Sequence, residues 1–158
     1  MSRLSHFDEQ GASRMVDIGG KEITSRFARA ESFVQLTRET LARIVDRTVE
    51  KGDVFEVARL AGIMATKRTA DLIPLCHPLG IDSVEVSLAV ANETTVRIEA
   101  TVQVHGRTGV EMEALTAVTV ASLTIYDMCK AIDRTMTLGP ARLLEKRGGK
   151  SGHFLATD

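Results

Sequence analysis

One segment constrains this chain more than any other: Thr108 to Lys130, reading T-G-V-E-M-E-A-L-T-A-V-T-V-A-S-L-T-I-Y-D-M-C-K. Ala114, Ala117, Val118, Ala121, Ile125, Met128 and Ile132 recur at helical spacing and predict a helix over about 110–132. Val120 and Leu123 fall on its other side. A helix that is apolar on two sides needs two partners, its own sheet and another chain. Both of its ends carry ionisable groups. Glu111 and Glu113 stand in the first turn, where acids complement the helix dipole, and their i, i+2 spacing puts them on different faces. Asp127 and Lys130 stand at the far end, three residues apart on one face, with Ile125, Met128, Cys129 and Ile132 around them. On an open surface such a pair is worth little. In apolar surroundings, a lysine beside a carboxylate has its pKa tuned for proton transfer.

The remaining sequence supplies a sheet for this helix. Met15–Ile18 reads as a first strand, ended by Gly19-Gly20. From about Arg26, the residues Ala28, Ala30, Ser32, Val34 and Leu36 repeat at period two, the mark of a strand with one buried face. Thr37 can cap a short helix carrying Leu41, Ile44 and Val45. Asp53 and Glu56 form an Asp-x-x-Glu variant of the capping box, and the helix they start runs to about Lys67. Val54, Val57, Ala58, Ala61, Met64 and Ala65 make its apolar face. Pro74 and Pro78 keep Asp71–Pro78 out of regular helix. Val84 to Val90 and Val96 to Val104 alternate with polar residues about a turn at Asn92-Glu93, a hairpin with one apolar face. A last strand falls within Met136–Leu144, broken at Gly139-Pro140. This order predicts an α+β fold, with helices packed on an antiparallel or mixed sheet. The 158 residues make one domain, with flexible ends at 1–14 and 146–158.

Several functional classes drop out. Formal charge is -1, so no global basic field draws nucleic acid, and with no tryptophan and few aromatics there is no base-stacking surface. No apolar run is long enough for a membrane span, and the polar start is unlike an export signal. Cys76 and Cys129 are the only cysteines, and the absence of a CxxC pair suits a reducing cytoplasm.

The residues left to carry chemistry are few. Lys51 sits just ahead of a helix start, where a cation opposes the dipole unless an anion lies between them. Lys67 and Arg68 end that helix as ordinary C-terminal cations. Adjacent Cys76 and His77 lack a second pair at ligand spacing, so no metal is expected, and a rigid loop presenting His77 to a ligand fits better. The tail from Lys146 reads K-R-G-G-K-S-G. It falls short of a P-loop, because the first glycine of that motif would stand at Leu144, but a basic tail can still close on phosphates.

Six segments together carry a resemblance: M-V-D-I from Met15, K-G-D-V-F from Lys51, K-R-T-A-D-L-I-P-L-C-H-P-L from Lys67, T-G-V-E-M-E-A-L-T-A from Thr108, L-T-I-Y-D-M-C-K-A from Leu123 and G-G-K-S-G from Gly148. In this collinear order they resemble the molybdenum-cofactor biosynthesis C protein family, the cyclic pyranopterin monophosphate synthases. Arg147 departs from the family tail, which reads K-S-G-G-K-S-G. The resemblance implies a ferredoxin-like subunit in a homohexamer, a trimer of dimers, with sites at subunit interfaces. It implies a cytoplasmic lyase without a cofactor. Its substrate would be 3′,8-cyclo-7,8-dihydroguanosine triphosphate, and its products cyclic pyranopterin monophosphate and pyrophosphate. Carried onto matching positions, Lys51 and Lys130 are the acid/base groups and Asp127 orients Lys130. Leu75, Cys76 and His77 line the substrate loop, Met112, Glu113 and Glu111 meet the pterin or sugar part, and Arg26, Lys67 and Lys146 hold phosphates. Two other classes, a non-catalytic nucleotide- or pterin-binding module and a structural oligomerisation domain, explain the basic tail or the two-sided helix. The first explains poorly the placement of Asp127 and Lys130 in an apolar helix, and the second does not explain the polar loop at Cys76-His77.

Overall fold

The computed structural model describes His6 and residues 10–157; within the expected flexible start, residues 1–5 and 7–9 lie outside the described residues. Six strands form the sheet: β1 (Thr24–Gln35), β2 (Ser83–Asn92), β3 (Thr95–Gly106), β4 (Thr137–Leu138), β5 (Arg142–Arg147) and β6 (Phe154–Leu155). The helices are α1 (Arg38–Val45), α2 (Val54–Thr66), the single-turn α3 (Thr69–Leu72) and α4 (Glu111–Cys129). The sheet order is β2-β3-β1-β5-β6, β4 pairs with β1, and every pairing is antiparallel. Taken in sequence, β1, α2, β2, β3, α4 and β5 give β-α-β-β-α-β with β1 and β3 in the middle, the ferredoxin-like arrangement.

The period-two pattern of β1 does what alternation dictates. Ala28, Ala30, Ser32 and Val34 all point to the helix side, and the register sets Ala30 against Ala100 and Ala28 against Val102. Small residues across the centre of the sheet let α4 lie close. Its Ala114, Ala117, Val118, Ala121 and Ile125 are fully buried there. Ser122 is buried too and stays satisfied, donating to the carbonyl of Val118 at 2.8 Å and lying 3.1 Å from the hydroxyl of Ser32, which can donate to it. The other face of the sheet is bound by charge. Glu31 is buried and accepts from Arg97 Nε and Arg142 Nε, both at 2.7 Å. Burial alone would raise its pKa, but the two arginine hydrogen bonds outweigh it and hold the carboxyl below its usual value.

Both expected caps form: Thr37 accepts from the backbone of Thr40, and Asp53 from that of Glu56. The apolar face expected of α2 is divided by the structure. Val54, Ala58, Gly62 and Ala65 pack inward, whereas Val57, Leu60 and Met64 form an exposed stripe beside them. The inward set is small, which brings α2 within reach of both α4 and β2. A Cβ added at Gly62 would lie 3.1 Å from the carbonyl oxygen of Ala117 and 3.3 Å from Val86.

Three further expectations change. Met15–Ile18 has no regular secondary structure and joins no strand of the sheet. The single turn α3 takes Asp71 and Leu72 into helix, and only from Ile73, extended ahead of Pro74, does the irregular stretch begin. Ile132 is exposed rather than part of the α4 stripe. At the tail, β5 continues to Arg147, and β6 pairs back on it after the Gly148–Gly152 turn. Among the described residues, no helix is long and apolar enough to cross a membrane.

Because Gly62 leaves no room, Gly62→Val is expected to destabilise the fold by about 1–3 kcal/mol through overpacking. Urea unfolding checks this, and a midpoint equal to the parent's would mean that the helices do not meet tightly there.

Candidate active site

The first turn of α4, the Leu75–His77 loop and the N-terminal stretch enclose a cavity of about 300 Å³. Leu75, Cys76, His77, Met112, Glu113 and Glu111 all line it. The Met15–Ile18 stretch finds a partner outside the sheet. It runs over the loop, and the Val16 carbonyl lies 2.8 Å from His77 Nε2. A carbonyl can only accept, so Nε2 is the donor in this contact. Glu111 and Glu113 stand on different faces, as their spacing requires, yet both border this cavity. The cavity wraps the helix start, so residues on different faces border one space.

Glu113 is the most perturbed carboxyl of this site. Burial is the main cause and the charge of Glu111 adds to it, while its own backbone N–H opposes; together they push it up from 4.5 to about 7. Burial, followed by the charge of Glu113, pushes the Cys76 thiol up as well. A buried acid poised near neutrality can either accept or give a proton.

A larger cavity, about 840 Å³, adjoins the first. Lys21, Thr108, Gly109 and Glu111 border both. Lys21, Arg26, Arg107, Lys146, Arg147 and Lys150 face it against two acids, Glu22 and Glu111. Arg26 enters from β1, its Nε donating to the Gly106 carbonyl and its guanidinium packed on Gly149 of the tail turn. Lys146 forms an ion pair with Glu111 at 3.1 Å and donates to Ser151 Oγ. Among the phosphate residues expected from sequence, Arg26 and Lys146 line this cavity. Lys67 does not: it is the exposed C-cap of α2. Sequence reasoning missed Lys21 and Arg107, which come from loops whose only signal was a basic residue near glycine.

Lys51, Asp127 and Lys130 do meet. Lys51 Nζ donates to the Asp127 carbonyl at 2.7 Å and lies 3.4 Å from Oδ2, while Lys130 Nζ donates to Oδ1 at 2.7 Å. Hydrogen bonds from Lys130 and then Lys51 hold the Asp127 carboxyl below its usual value. The bond to Asp127 pushes Lys130 up, not down as burial would. The expected apolar shielding of this pair is absent within one chain, where all three side chains are about half exposed. The trio also stands far from the cavities: Glu113 and Asp127 lie at opposite ends of α4, roughly 21 Å apart at the helical rise.

The sequence profile of the MoaC family matches residues 15–149. The chain belongs to the MoaC family. A relative from Parvibaculum lavamentivorans, a cyclic pyranopterin monophosphate synthase, is 59% identical over 155 residues, covering 98% of this chain and 97% of the relative. Relatives of the same name from Desulfitobacterium hafniense and Brevibacillus brevis are 55% and 54% identical, and each is covered over 95% of its length. This MoaC-family chain is therefore an enzyme of the lyase class.

The perturbed Glu113 gives a pH prediction. With a folded value of about 7 above an ordinary 4.5, the folded state holds the extra proton between these values, so stability falls as pH rises through that window. Glu113→Gln mimics the neutral acid. It is expected to stabilise the chain at pH 8 by up to about 3 kcal/mol and to change little near pH 4.5. Urea midpoints at the two pH values decide it, and an equal shift at both would contradict the assignment.

Proposed function

We propose that the protein converts 3′,8-cyclo-7,8-dihydroguanosine triphosphate to cyclic pyranopterin monophosphate and pyrophosphate in molybdenum-cofactor biosynthesis, at a site shared between two copies of the chain. The observation that carries this reading is the pair of joined cavities. One is cationic and sized for a triphosphate, and the other is small and lined by His77, Met112 and Glu113 for the heterocycle. The names of the relatives agree with it. Making a cyclic monophosphate from a triphosphate requires a hydroxyl oxygen of the same molecule to attack the α-phosphorus while pyrophosphate leaves. The ring rearrangement before it needs protons moved on and off carbon-, nitrogen- and oxygen-bound sites. Cations neutralise the developing phosphate charge, and Lys51 and Lys130 move protons, both positioned by Asp127.

Separation of the trio from the cavities supports the shared site. Leu123 and Met112 on α4 and Val57, Leu60 and Met64 on α2 leave one broad apolar surface open. Thr119 and Val120 are midway between Met112 and Asp127 along α4. Two copies paired with their α4 helices antiparallel about this midpoint would cover both apolar stripes. The same pairing lays Asp127 of one copy opposite Met112 of the other, and so brings Lys51 and Lys130 to the second copy's cavities. Burial at such an interface would also remove the water that now reaches the trio. Three such pairs would make the homohexamer. Free thiols at Cys76 and Cys129 support a reducing setting, the cytoplasm.

Purified protein given the cyclic dihydro-GTP intermediate is expected to release pyrophosphate. Tight binding without release would point instead to a non-catalytic binding module. Lys51→Ala and Lys130→Ala are each expected to lower turnover by roughly 10²–10⁴-fold with the assembly intact, the range for lost acid/base groups. Leu123→Glu is expected to break the pairing and the activity together, as read by light scattering and pyrophosphate release. A fully active monomer would remove the shared-site reading.

A further inference from the structure

We propose that Glu111 is the resident counter-ion of the cationic cavity: its carboxylate holds Lys146 in the empty enzyme, gives way to an arriving phosphate group and returns as pyrophosphate departs. This rests on the triphosphate reading above. Three observations place Glu111 in that role. It is one of the residues that border both cavities, so it stands where a ligand with its ring in one and its phosphates in the other would cross between them. Its carboxylate pairs with Lys146 at 3.1 Å, and both side chains are mostly shielded, 29% and 22% exposed. A phosphate oxygen that takes Lys146 as partner must therefore displace an anion already there. The carboxylate also has a place of its own. It folds back over Gly109, where a Cβ would collide with it, so this position is open only because residue 109 lacks a side chain.

The reason for such a group lies in the charge balance. Six cations facing one cavity would bind any polyphosphate tightly, the product included. Tight binding shared by substrate and product does not accelerate the chemistry, and it slows product release. A built-in competitor weakens the hold on inorganic pyrophosphate. It also keeps Lys146 and, through Ser151, the Gly148–Gly152 turn in place between turnovers. Glu111 is thus a positioning residue that acts through Lys146.

The test is isothermal titration of inorganic pyrophosphate into the full-length parent, Glu111→Gln, Lys146→Ala and the double variant. Glu111→Gln is expected to bind pyrophosphate roughly tenfold more tightly, with stronger product inhibition of turnover. The gain is expected to vanish in the Lys146→Ala background, a coupling that a purely structural role would not produce. Glu111→Asp keeps the charge at the helix start but is one methylene too short for Lys146. It is expected to shift affinity in the same direction by less, and it serves if the Gln variant fails to fold. Affinity unchanged or weaker in a folded Glu111 variant, or a gain that persists without Lys146, would overturn the proposal. A parent that binds no pyrophosphate and turns over no substrate would overturn the triphosphate reading, and this proposal with it. A parent that does both while Glu111→Gln binds no more tightly would overturn this proposal alone.

Discussion

The structure turns on how closely α2 approaches α4. Ala58, Gly62 and Ala65 give α2 a nearly flat inner face, and a Cβ added at Gly62 would lie 3.1 Å from the Ala117 carbonyl oxygen. Packing between small residues gains less apolar burial per residue than packing of leucines would, yet it fixes the helix axes closely. Two consequences follow. The chain just before α2 ends beside the last turn of α4, which sets Lys51 on Asp127. Val57, Leu60 and Met64 of α2 are turned outward and leave apolar surface that one chain does not cover.

The two ends of α4 treat carboxylates in opposite ways. At the start, Glu113 is buried beside a second acid, and its proton is held to about pH 7. At the far end, Asp127 is exposed between two lysines and stays ionised well into acid. One helix therefore carries a carboxyl able to exchange a proton near neutrality and another that remains a fixed anion, a division of labour set by surroundings rather than residue type. Their separation along α4 is too great for one small substrate to bridge inside one chain. That distance, more than any local contact, is what argues for a second copy.

Much of the fold was legible from the sequence because the sheet has one buried face. Alternation through Ala28–Val34 and through the β2–β3 hairpin has a single physical cause and read correctly. Where the pattern misled, a different partner had taken over. Met15–Ile18 looked like a strand, but one of its carbonyls is occupied by His77 and no ladder forms. For α2, hydrophobicity named the apolar side without saying which half faces inward. Packing on α4 and the sheet takes Val54, Ala58, Gly62 and Ala65 inward and leaves Val57, Leu60 and Met64 out. Leu75, Cys76, His77, Met112, Glu111, Glu113, Arg26 and Lys146, singled out from their segments, border the two cavities. What spacing could not reveal was that Glu111 and Glu113 share a cavity, since the cavity curves around the helix, or that Lys67 stays outside both. The two-sided apolar helix did announce an uncovered surface, and Leu123 stands open as that reading required.

The central claim is that acid/base groups of one copy serve the substrate cavity of another, and subunit mixing tests it most directly. Lys51→Ala chains and His77→Ala chains are prepared separately, each inactive, and then co-assembled, with mass spectrometry establishing that both are present in the same particles. In a mixed pair, one of the two shared sites contains neither substitution, so pyrophosphate release is predicted to return. Mixed particles that remain as inactive as either parent variant would contradict the account.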